Sequence, residues 1–430
     1  MLASAAAAAL MVPLVPASAG YAQSAAFAQQ PSDQAVSSFY ASRHGTLLWL
    51  RGGPDSSAAR ELIGVLERAP LDGFTSGPAI AAQAEGLLAQ ARTGDKDALA
   101  RADQLLSTGW LLYVQAIQQP PQDMEFADGW ARPRPTSTNE ILPLAAAAPS
   151  LPAYVRKIST PNPVYAQLRD AAWSQAQANG GALDPRVLAN LDRARFAPFQ
   201  KRYVIVDSGS ARLFMVDNGQ IVDSMKVIVG KPTSQTPVLA STIYYATLNP
   251  YWNVPPDLVK KLTAPRVLDQ GLAYLKTHNY RVMSTYTDDG QLLDPAKVDW
   301  RAVAAGNSTV AVRQLPGPGN SMGRVKFGFP NKYDVFLHDT PEKELFAQSD
   351  RDLSNGCIRL EDAPRLGQWL LGREAKADSP DPEQHALLPS PTPIYITYLT
   401  AQADGGQLAF RDDVYGLDGG QRASMVATAN

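Results

Sequence analysis

The first third of the chain has the hydrophobic spacing of amphipathic helices. In the segment DSSAARELIGVLERA, apolar residues recur every three or four positions on one face, which predicts an α-helix with Asp55 as its N-cap. A longer segment, DKDALARADQLLSTGWLLYVQAI, repeats the pattern. These helices carry no cluster of polar groups suited to chemistry. We therefore expect a helical scaffold domain over residues 31–119.

The pattern breaks in the segment that follows. Nine prolines fall between Pro120 and Pro163, a density that opposes regular structure. A helical pattern returns in PVYAQLRDAAWSQAQ and ends at the sequence Asn179-Gly180-Gly181. Residues 120–200 are accordingly interpreted as a proline-rich linker with short helices.

From Lys201 onward the apolar pattern becomes that of β-strands. The segments RLFMVD and IVDSMKVIVG flank Asn218-Gly219, which predicts a hairpin. STIYYATLNPYW and YDVFLH predict further strands, and TPIYITYLTAQADGGQLAFRDD predicts a closing hairpin around Asp404-Gly405. The mixed stretch 251–313 is typical of an insertion between two sheets, and insertions of that length often act as lids.

The N-terminus has the pattern of a secretory signal. A short apolar run is followed by Ala17-Ser18-Ala19, an A-x-A cleavage site, although no Lys or Arg precedes the run. No later stretch reaches the roughly 18 apolar residues of a membrane span. We expect residues 1–30 to be a signal peptide and leader, residues 419–430 a flexible tail, and the mature protein to be periplasmic without stable membrane insertion. The alternative is an Ala-rich first helix of a cytosolic domain.

Charge and cysteine content narrow the function. The 430 residues include 39 basic and 41 acidic side chains, and this balance argues against a nucleic-acid-binding protein. Cys357 is the only cysteine, so it cannot form a disulfide within its own chain. It is either a small buried hydrophobe or a reactive thiol.

The surroundings of Cys357 favour chemistry. His338 precedes it, at the end of a predicted strand, and Arg359 follows it closely. Gly356 allows backbone N–H groups to approach an oxyanion closely. A base, oxyanion donors and a cation around one thiol make a coherent acyl-transfer site. From the residues alone, an inert thiol in a strand-to-turn region remains equally open.

A family resemblance favours the reactive thiol. The segment HDTPEKELFAQSDRDLSNGCIRL resembles the L,D-transpeptidase signature, in which a histidine and a spacer precede Ser/Thr-His-Gly-Cys and then Arg or Asn. The spacer between His338 and Ser354 has the length that the signature requires. NPYWNVPPDL, RQLPGPGNSMGRVKFGFPN and FRDDVYGLD also resemble the large periplasmic members with a capping subdomain. The resemblance is close over 188–418 and looser over 38–112.

The chain departs from the family pattern at two places. The family usually has histidine at the position of Asn355. The large members often carry a peptidoglycan-binding module before the catalytic domain, and only a short stretch, LRDAAWSQAQANGGALDPRVLANL, occupies that place here. Substrate binding is then weaker or supplied elsewhere.

The resemblance implies an α+β fold. It consists of a mostly β, two-sheet catalytic domain at 201–418, with a capping insertion at about 251–313, behind the helical scaffold domain. It also implies a peptidoglycan substrate, with Cys357 attacking a tetrapeptide stem, His338 as base and the Asp339 carbonyl orienting His338. Carbapenems would acylate Cys357. No metal or cofactor is implied.

The resemblance assigns further roles around the nucleophile. The N–H groups of Gly356 and Cys357, with that of Asn355, would hold the oxyanion. Asn355 would also brace the turn through its side chain. Ser354 and Arg359 would position the loop or a substrate carboxylate. Trp252 and Phe336 are the further predicted substrate contacts.

Several alternatives remain open. The acyl-enzyme would form 3→3 crosslinks, or act as an L,D-carboxypeptidase, exchange amino acids or attach proteins to peptidoglycan. A sortase-like enzyme would have its arginine further beyond the cysteine, and a cell-wall cysteine peptidase usually has cysteine before histidine. A non-catalytic wall-binding scaffold protein is the alternative from another class. Cell-wall synthesis partners would bind through the helical domain.

Other motifs give weaker signals. The loop GPGNSMG at 317–323 lacks the Gly-Lys-Ser/Thr ending of a phosphate loop, so close backbone packing is the better interpretation. His44, His278 and His385 are far apart and show no zinc-binding spacing.

Overall fold

A computed structural model describes residues 32–287 and 289–419. The chain divides into two compact units. One comprises residues up to Gln119 together with Pro135–Ser159, and the other comprises Pro120–Arg134 together with the residues from Thr160 onward. The predicted signal peptide lies outside the described residues, as does the predicted tail beyond residue 419.

The first unit is helical, as the sequence predicts. Its helices are α1 (32–42), α2 (Ser57–Arg68), α3 (Gly77–Arg92), α4 (Lys96–Ile117), α5 (Thr138–Ala147) and α6 (Leu151–Ile158). The N-cap of α2 is Ser56, whose hydroxyl accepts from the Ala58 N–H, and not Asp55 as predicted. The reason is that the helix begins at Ser57, one residue later than the apolar pattern suggested.

A buried carboxylate organises this unit. Asp103 on α4 is fully buried and accepts hydrogen bonds of 2.8 Å from the N–H groups of Leu48, Trp49 and Leu50. The Tyr40 hydroxyl on α1 donates to the same carboxylate. Because a buried charge is tolerated only when donors surround it, this cluster joins α1, α4 and the segment between α1 and α2.

The proline-rich segment is more regular than the sequence predicted. Both α5 and α6 lie within it, so the prediction that prolines prevent regular structure there is wrong. Pro152 lies in the first turn of α6, where a missing N–H removes no helical hydrogen bond. Pro143 lies inside α5, whose start is stabilised by the Glu140 carboxylate accepting from the Ser137 N–H at 3.3 Å.

The second unit has seven helices and fifteen strands among its described residues. The helices are α7 (Pro163–Ala178), α8 (Pro185–Ala194), α9 (Pro256–Leu258), α10 (Ala264–Gln270), α11 (Ala273–Thr277), α12 (Trp300–Ala305) and α13 (Ala363–Leu371). The strands are β1 (Glu125–Phe126), β2 (Arg202–Asp207), β3 (Arg212–Asp217), β4 (Gln220–Gly230), β5 (Leu239–Leu248), β6 (Trp252–Val254), β7 (Tyr280–Met283), β8 (Ala311–Gln314), β9 (Val325–Gly328), β10 (Leu337–His338), β11 (Asp352–Ser354), β12 (Ile358–Leu360), β13 (Gln384–Thr397), β14 (Ala401–Asp404) and β15 (Gln407–Phe410).

The main sheet closes on itself. Hydrogen-bonded neighbours run in the order β5, β13, β2, β3, β4, β12, β10 and β9, and β9 pairs again with β5. Strand β1 adds to one end of β5, and β11 adds to β4. The predicted two layers are therefore connected into one continuous hydrogen-bonded path, which leaves few free edges.

Two predicted hairpins are confirmed. Strands β3 and β4 are antiparallel around Asn218 and Gly219, both at positive φ, as a type I′ turn requires. Strands β14 and β15 pair from Asp404 to Gln407 around Gly405-Gly406. One prediction is wrong: YDVFLH forms a strand only at Leu337–His338, because Asp334 has a φ of +51° and interrupts the extended backbone.

Both faces of the central strands are buried. In β2, Val204 and Val206 belong to the large core inside the closed sheet, whereas Tyr203 and Ile205 pack in a second cluster on the other side. This explains the near-continuous apolar run of β2, since a strand covered on both faces does not alternate.

The insertion folds as a small subdomain. Its sheet has the order β6, β8, β7, and a π-helical turn, Val259–Thr263, connects α9 to α10. It has a core of its own, which includes Val254, Val282 and Val312. No helix among the described residues combines the length and the apolar character needed to cross a bilayer.

Candidate active site

A short parallel strand pair sets the geometry around the thiol. Strands β10 and β12 align Leu337 with Ile358, and His338 with Arg359. Leu337 and Ile358 are fully buried in the core of the closed sheet. The residues on either side of them must therefore point to the opposite face, because side chains alternate along a strand.

That opposite face carries the predicted chemistry. The Ile358 N–H donates to the Phe336 carbonyl at 3.0 Å, so the register continues and places Phe336 beside Cys357. Since residues two apart share a face, Phe336, His338, Cys357 and Arg359 all project to the same side of the sheet. The Phe336 and His338 rings meet edge to face, with centroids 5.6 Å apart.

His338 is buried and oriented by the main chain. Its Nδ1 lies 2.6 Å from the Asp339 carbonyl oxygen, which can only accept, so Nδ1 carries the hydrogen and Nε2 of the neutral ring carries the lone pair. Burial, and then the positive charge of Arg359, lower the pKa of His338 to about 4. Backbone hydrogen bonds with Asp339 and Ser321 raise the pKa of His338 but do not outweigh these effects.

Cys357 is a free, partly exposed thiol. Its Sγ lies 3.6 Å from the carbonyl oxygen of Asp334, to which it donates. Burial raises the pKa of Cys357 to about 11, while a backbone hydrogen bond from Phe336 and the charge of Arg359 act to lower it. The thiol and the imidazole are therefore both neutral near pH 7.

Ser354 braces the turn that carries the thiol. Its buried hydroxyl donates to the Cys357 carbonyl at 2.6 Å and accepts from the Gly356 N–H at 3.1 Å. Gly356 has a φ of +118°, a conformation that favours glycine. The predicted oxyanion role of the Gly356 N–H is thus corrected, because that N–H is already bonded within the turn.

Asn355 does not brace the turn as predicted. It is exposed, and no hydrogen bond of its side chain is found among the described residues. Within the same part of the chain, no group accepts from the Cys357 N–H. The Asn355 N–H likewise has no acceptor among the described residues, so the N–H groups of Asn355 and Cys357 both remain available as oxyanion donors.

A second brace, not identified from the sequence, holds the far side of the turn. Thr236 Oγ1 donates to the Gly356 carbonyl at 2.8 Å and accepts from the Gly230 N–H at 2.8 Å. The Tyr415 hydroxyl donates to the Gly230 carbonyl and accepts from the Thr236 N–H at 3.4 Å. In the sequence, Tyr415 could have been found because it lies in the motif FRDDVYGLD, whereas Thr236 belongs to no motif that would have pointed to this role.

The Asp339 side chain secures the carbonyl that orients His338. Its carboxylate accepts from the Arg324 N–H at 2.9 Å and from Lys343 Nζ at 2.8 Å. Gly323 approaches it so closely that a Cβ at that position would lie 2.4 Å from the carboxylate. The predicted close packing of the loop 317–323 is therefore realised at this glycine.

Arg359 and Trp252, two of the predicted substrate contacts, lie in different parts of the catalytic unit. Arg359 forms an ion pair with Glu342 and is only partly exposed. Trp252 lies on β6 of the capping subdomain, with its ring centroid 6.3 Å from that of Tyr280. Trp252 is partly buried and packs against the core of the capping subdomain.

No metal centre is found in the described part of the chain, where no three His, Cys, Asp or Glu side chains are grouped to hold an ion. Cys357 and His338 supply a thiol and an imidazole beside a main-chain donor, an arrangement that suits acyl transfer.

Comparisons with known families agree with this chemistry. Residues 201–396 match the L,D-transpeptidase catalytic domain, and residues 34–171 match the Scaffold domain. A curated Haemophilus influenzae protein, whose name places it provisionally among the L,D-transpeptidases, is 25% identical over 389 residues, which cover 88% of this chain and 77% of that protein.

Solved structures are more distant. An L,D-transpeptidase from Mycobacterium smegmatis is 14% identical with a TM-score of 0.23, and the match covers 46% of this chain and 58% of that one. L,D-transpeptidase 3 from Mycobacterium tuberculosis, in complex with a faropenem-derived adduct, is 12% identical with a TM-score of 0.22, covering 46% and 60%. The chain thus matches less than two thirds of the length of either structure.

The domain matches and the site geometry lead to the same class. The chain is an L,D-transpeptidase-type enzyme in which a Scaffold domain, residues 34–171, precedes the L,D-transpeptidase catalytic domain, residues 201–396.

Proposed function

We propose that this enzyme forms 3→3 crosslinks in peptidoglycan through a Cys357 acyl-enzyme. Cys357 attacks the carbonyl of the third stem residue, the L-centre of a diaminopimelate, and the terminal D-alanine of a tetrapeptide leaves. The amine of a second stem then takes the acyl group. The observation that carries the proposal is the β10–β12 register, which projects Cys357 and His338 from one face of the sheet.

In the first step the proton moves from thiol to imidazole. The Asp339 carbonyl holds the Nδ1 hydrogen, so Nε2 of His338 accepts the proton as the C–S bond forms. The N–H groups of Asn355 and Cys357 stabilise the oxyanion. The tetrahedral intermediate then collapses, the C–N bond breaks, and His338 returns the proton to the departing D-alanine amine.

In the second step the acceptor amine attacks the thioester. His338 removes a proton from the attacking nitrogen, the C–S bond breaks, and the thiol is regenerated with that proton. Arg359 assists both steps electrostatically, because its charge lowers the pKa of the thiol and of the imidazole together. A positive charge here favours the thiolate and opposes a long-lived imidazolium.

Substrate contacts form part of the same proposal. Phe336 is partly exposed beside His338 and contacts the stem, while Arg359 and Ser354 position the loop. Trp252 is partly exposed on the capping subdomain, and we propose that it contacts the substrate from there. The enzyme acts in the periplasm, and its helical domain is the proposed surface for cell-wall synthesis partners.

The test is to incubate the protein with disaccharide-tetrapeptides and follow both products. We expect D-alanine release, an acyl adduct on Cys357 in the intact-protein mass, and crosslinked dimers. The Cys357→Ala variant should show none of these, and meropenem should acylate the wild type at the same residue. Folded wild-type protein that forms neither adduct nor D-alanine would contradict the proposal.

A further inference from the structure

Two buried amide side chains join the capping subdomain to the loop 317–323. Gln314, the last residue of β8, is 3% exposed, and Asn320, in the middle of the loop, is 1% exposed. Neither the proposed chemistry nor the domain matches assign them a role. A buried amide is costly unless its N–H and C=O groups are hydrogen-bonded, so the partners of these two side chains show what they hold.

Every polar group of the Gln314 side chain has a partner. Its oxygen accepts from the Ser321 N–H at 3.0 Å, and its nitrogen donates to the carbonyls of Gly319 at 3.0 Å and His278 at 3.1 Å. Gly319 and Ser321 belong to the loop, whereas His278 lies in the capping subdomain just before β7. One side chain therefore attaches the loop backbone to the subdomain on both sides of Asn320.

Asn320 attaches the same loop to both ends of the insertion. Its side-chain nitrogen lies within hydrogen-bond distance of three carbonyl oxygens, those of Pro250 at 3.2 Å, Gln314 at 3.4 Å and Leu315 at 3.0 Å. Its side-chain oxygen accepts from the Met322 N–H at 2.7 Å. Because Pro250 precedes the insertion and Leu315 follows it, the loop is held where the capping subdomain joins the rest of the catalytic unit.

The end of the loop contacts the residue that orients His338. A Cβ at Gly323 would lie 2.4 Å from the Asp339 carboxylate, and the Arg324 N–H donates to that carboxylate at 2.9 Å. The Asp339 N–H donates to the Val325 carbonyl at 2.9 Å, and the Asp339 carbonyl accepts from Nδ1 of His338. A shift of the loop would therefore move the acceptor that sets the tautomer and the orientation of the imidazole.

The middle of the loop reaches the imidazole directly. The backbone of Ser321, whose N–H is held by Gln314, forms a hydrogen bond with His338 that favours the protonated ring. When the thiol proton is transferred, the imidazolium therefore has backbone partners at both Asp339 and Ser321. The loop positions both partners.

We propose that Gln314 and Asn320 are positioning residues, which hold the loop 317–323 against His338 from the base of the capping subdomain. The inference rests on the proposed function, in which His338 is the base. Both side chains are buried and do not meet the substrate, so they act on the rate of proton transfer and not on donor binding. The capping subdomain then contributes to the geometry of the base, which is a different role from that of a lid.

Substitutions of similar size test the two residues. Gln314→Met and Asn320→Leu remove the hydrogen bonds, and we expect kcat for D-alanine release to fall about ten- to a hundredfold, since small misplacements of catalytic groups have effects of this size. The KM for the donor tetrapeptide should stay within about twofold. Alkylation of Cys357 by iodoacetamide, which does not need His338, should also change less than about twofold.

Asn162→Leu is the matched control for destabilisation. Asn162 is a 2% exposed amide of the same unit, and it donates to the Ala194 and Phe196 carbonyls and accepts from the Tyr165 N–H. Its loss should lower the Tm as the loop variants do. Assayed below the Tm, however, this variant should keep kcat within about twofold of wild type.

The ring nitrogens of His338 give a readout that general destabilisation does not change. NMR of protein with isotope-labelled histidine, in which His338→Ala assigns the signal among the four histidines, should show a protonated Nδ1 in the wild type and in Asn162→Leu. Gln314→Met and Asn320→Leu should show a mixture of the two tautomers, because the Asp339 carbonyl is no longer held in place.

A milder variant keeps the test decisive if Gln314→Met does not fold. A carboxyl group at this position cannot donate to two carbonyls in either protonation state, so Gln314→Glu should still lower kcat severalfold at unchanged KM. Wild-type kcat and wild-type His338 signals in the folded loop variants would overturn the inference. Wild-type protein that releases no D-alanine would instead overturn the proposed function, and the NMR comparison would still decide on the positioning of His338.

Discussion

At the scale of single residues, the proposed catalytic pair, Cys357 and His338, is uncharged. Burial raises the pKa of Cys357 to about 11 and lowers that of His338 to about 4. Both shifts have the same origin, because a low-dielectric site disfavours the charged form of each group. A thiolate–imidazolium pair would need the reverse order of pKa values. The proton therefore moves from the Cys357 thiol to His338 only during the reaction, and the resting enzyme contains no thiolate–imidazolium pair.

The pH dependence of alkylation tests this state. Below its pKa, a thiol gains thiolate about tenfold per pH unit. The rate of Cys357 alkylation by iodoacetamide should therefore keep rising from pH 7 to pH 10. D-alanine release from the donor stem, which needs no acceptor amine, should be lost on the acid side only as the pH falls through about 4, where His338 takes a proton. Both rates are measured from pH 4 to pH 10, and alkylation of free N-acetylcysteine under the same conditions is the control. An alkylation rate that is flat above pH 6 would disprove a neutral thiol.

Asn355 and His338 should respond very differently to substitution. Loss of a general base typically lowers the rate about 10²–10⁴-fold, so His338→Ala should abolish crosslinking. Asn355→His should stay within about tenfold of wild type, or about 1.4 kcal/mol in barrier, because Asn355 is exposed and makes no described side-chain bond. The rate of dimer formation from tetrapeptides measures the activity of both variants. An active His338→Ala, or a wild type that works only after Asn355→His, would reverse these roles.

The Thr236 hydroxyl should matter for turnover and not only for stability. Thr236→Val keeps the shape but leaves the Gly356 carbonyl and the Gly230 N–H without their partner. A lost buried hydrogen bond costs about 1–3 kcal/mol, and misplacement of Cys357 should lower kcat roughly tenfold or more with little change in KM.

Two further variants distinguish positioning from general destabilisation. Thr236→Ser retains the hydroxyl and should recover most of kcat. Tyr415→Phe loosens the same network at Gly230 without touching Gly356, so it should lower the Tm with a smaller effect on kcat. Equal losses of kcat in Thr236→Val and Tyr415→Phe would argue against a specific role for Thr236.

At the scale of elements, the two ends of the capping subdomain lie side by side. Its first and last strands are antiparallel neighbours, with Trp252 opposite Gln314. Its core is separate from that of the closed sheet. These facts mean that the insertion can be removed at its base without cutting a strand of the main path.

We expect its removal to affect large substrates selectively. Replacing residues 253–313 with Asn-Gly would join Trp252 and Gln314 through a two-residue hairpin turn. Crosslinking of polymeric wall should fall by about tenfold or more if the subdomain acts as a lid. Alkylation of Cys357 by a small reagent should change less than twofold, which also controls for folding. Unchanged crosslinking of polymeric wall would exclude a lid function.

At the scale of the whole molecule, the chain alternates between the two units. It leaves the first at Gln119, returns to it at Pro135 and leaves it again after Ser159. The excursion 120–134 supplies β1. The N–H of Glu125 in this strand donates to the Val238 carbonyl at 3.1 Å, and the N–H of Ala127, the residue after the strand, donates to the Ala240 carbonyl at 2.9 Å. A simple linear division into scaffold, linker and catalytic domain therefore misses part of the catalytic unit.

A truncation series tests this organisation. A fragment of residues 160–419 lacks β1 and the buried Met124 and Ala131 of the second core cluster. Losing these contacts should cost about 2–4 kcal/mol, which lowers the Tm of a domain of this size by roughly 5–10 °C relative to residues 120–419. Differential scanning calorimetry of the two fragments provides the comparison. Equal melting temperatures would mean that β1 contributes nothing to the catalytic unit.

The sequence by itself determined the features that depend on neighbours along the chain. Helical spacing predicted the first unit, and Asn218-Gly219 and Asp404-Gly405 predicted their hairpins, because turn chemistry and periodicity are local properties. The motif around Cys357 and His338 identified the candidate nucleophile and base. Local rules failed for the helices between Pro120 and Pro163: Pro152 lies in a first helical turn, where it removes no helical hydrogen bond, but Pro143 lies inside α5 and the helix forms nevertheless.

Only the tertiary structure decided how distant segments meet. The parallel register of β10 and β12 places His338 and Arg359 side by side, although a long loop separates the two strands in the sequence. The brace from Thr236 and Tyr415 joins segments 179 residues apart, and Trp252 packs against the core of the capping subdomain. Such contacts depend on which strands pair and in which register, and no local pattern specifies a partner that lies far away in the chain.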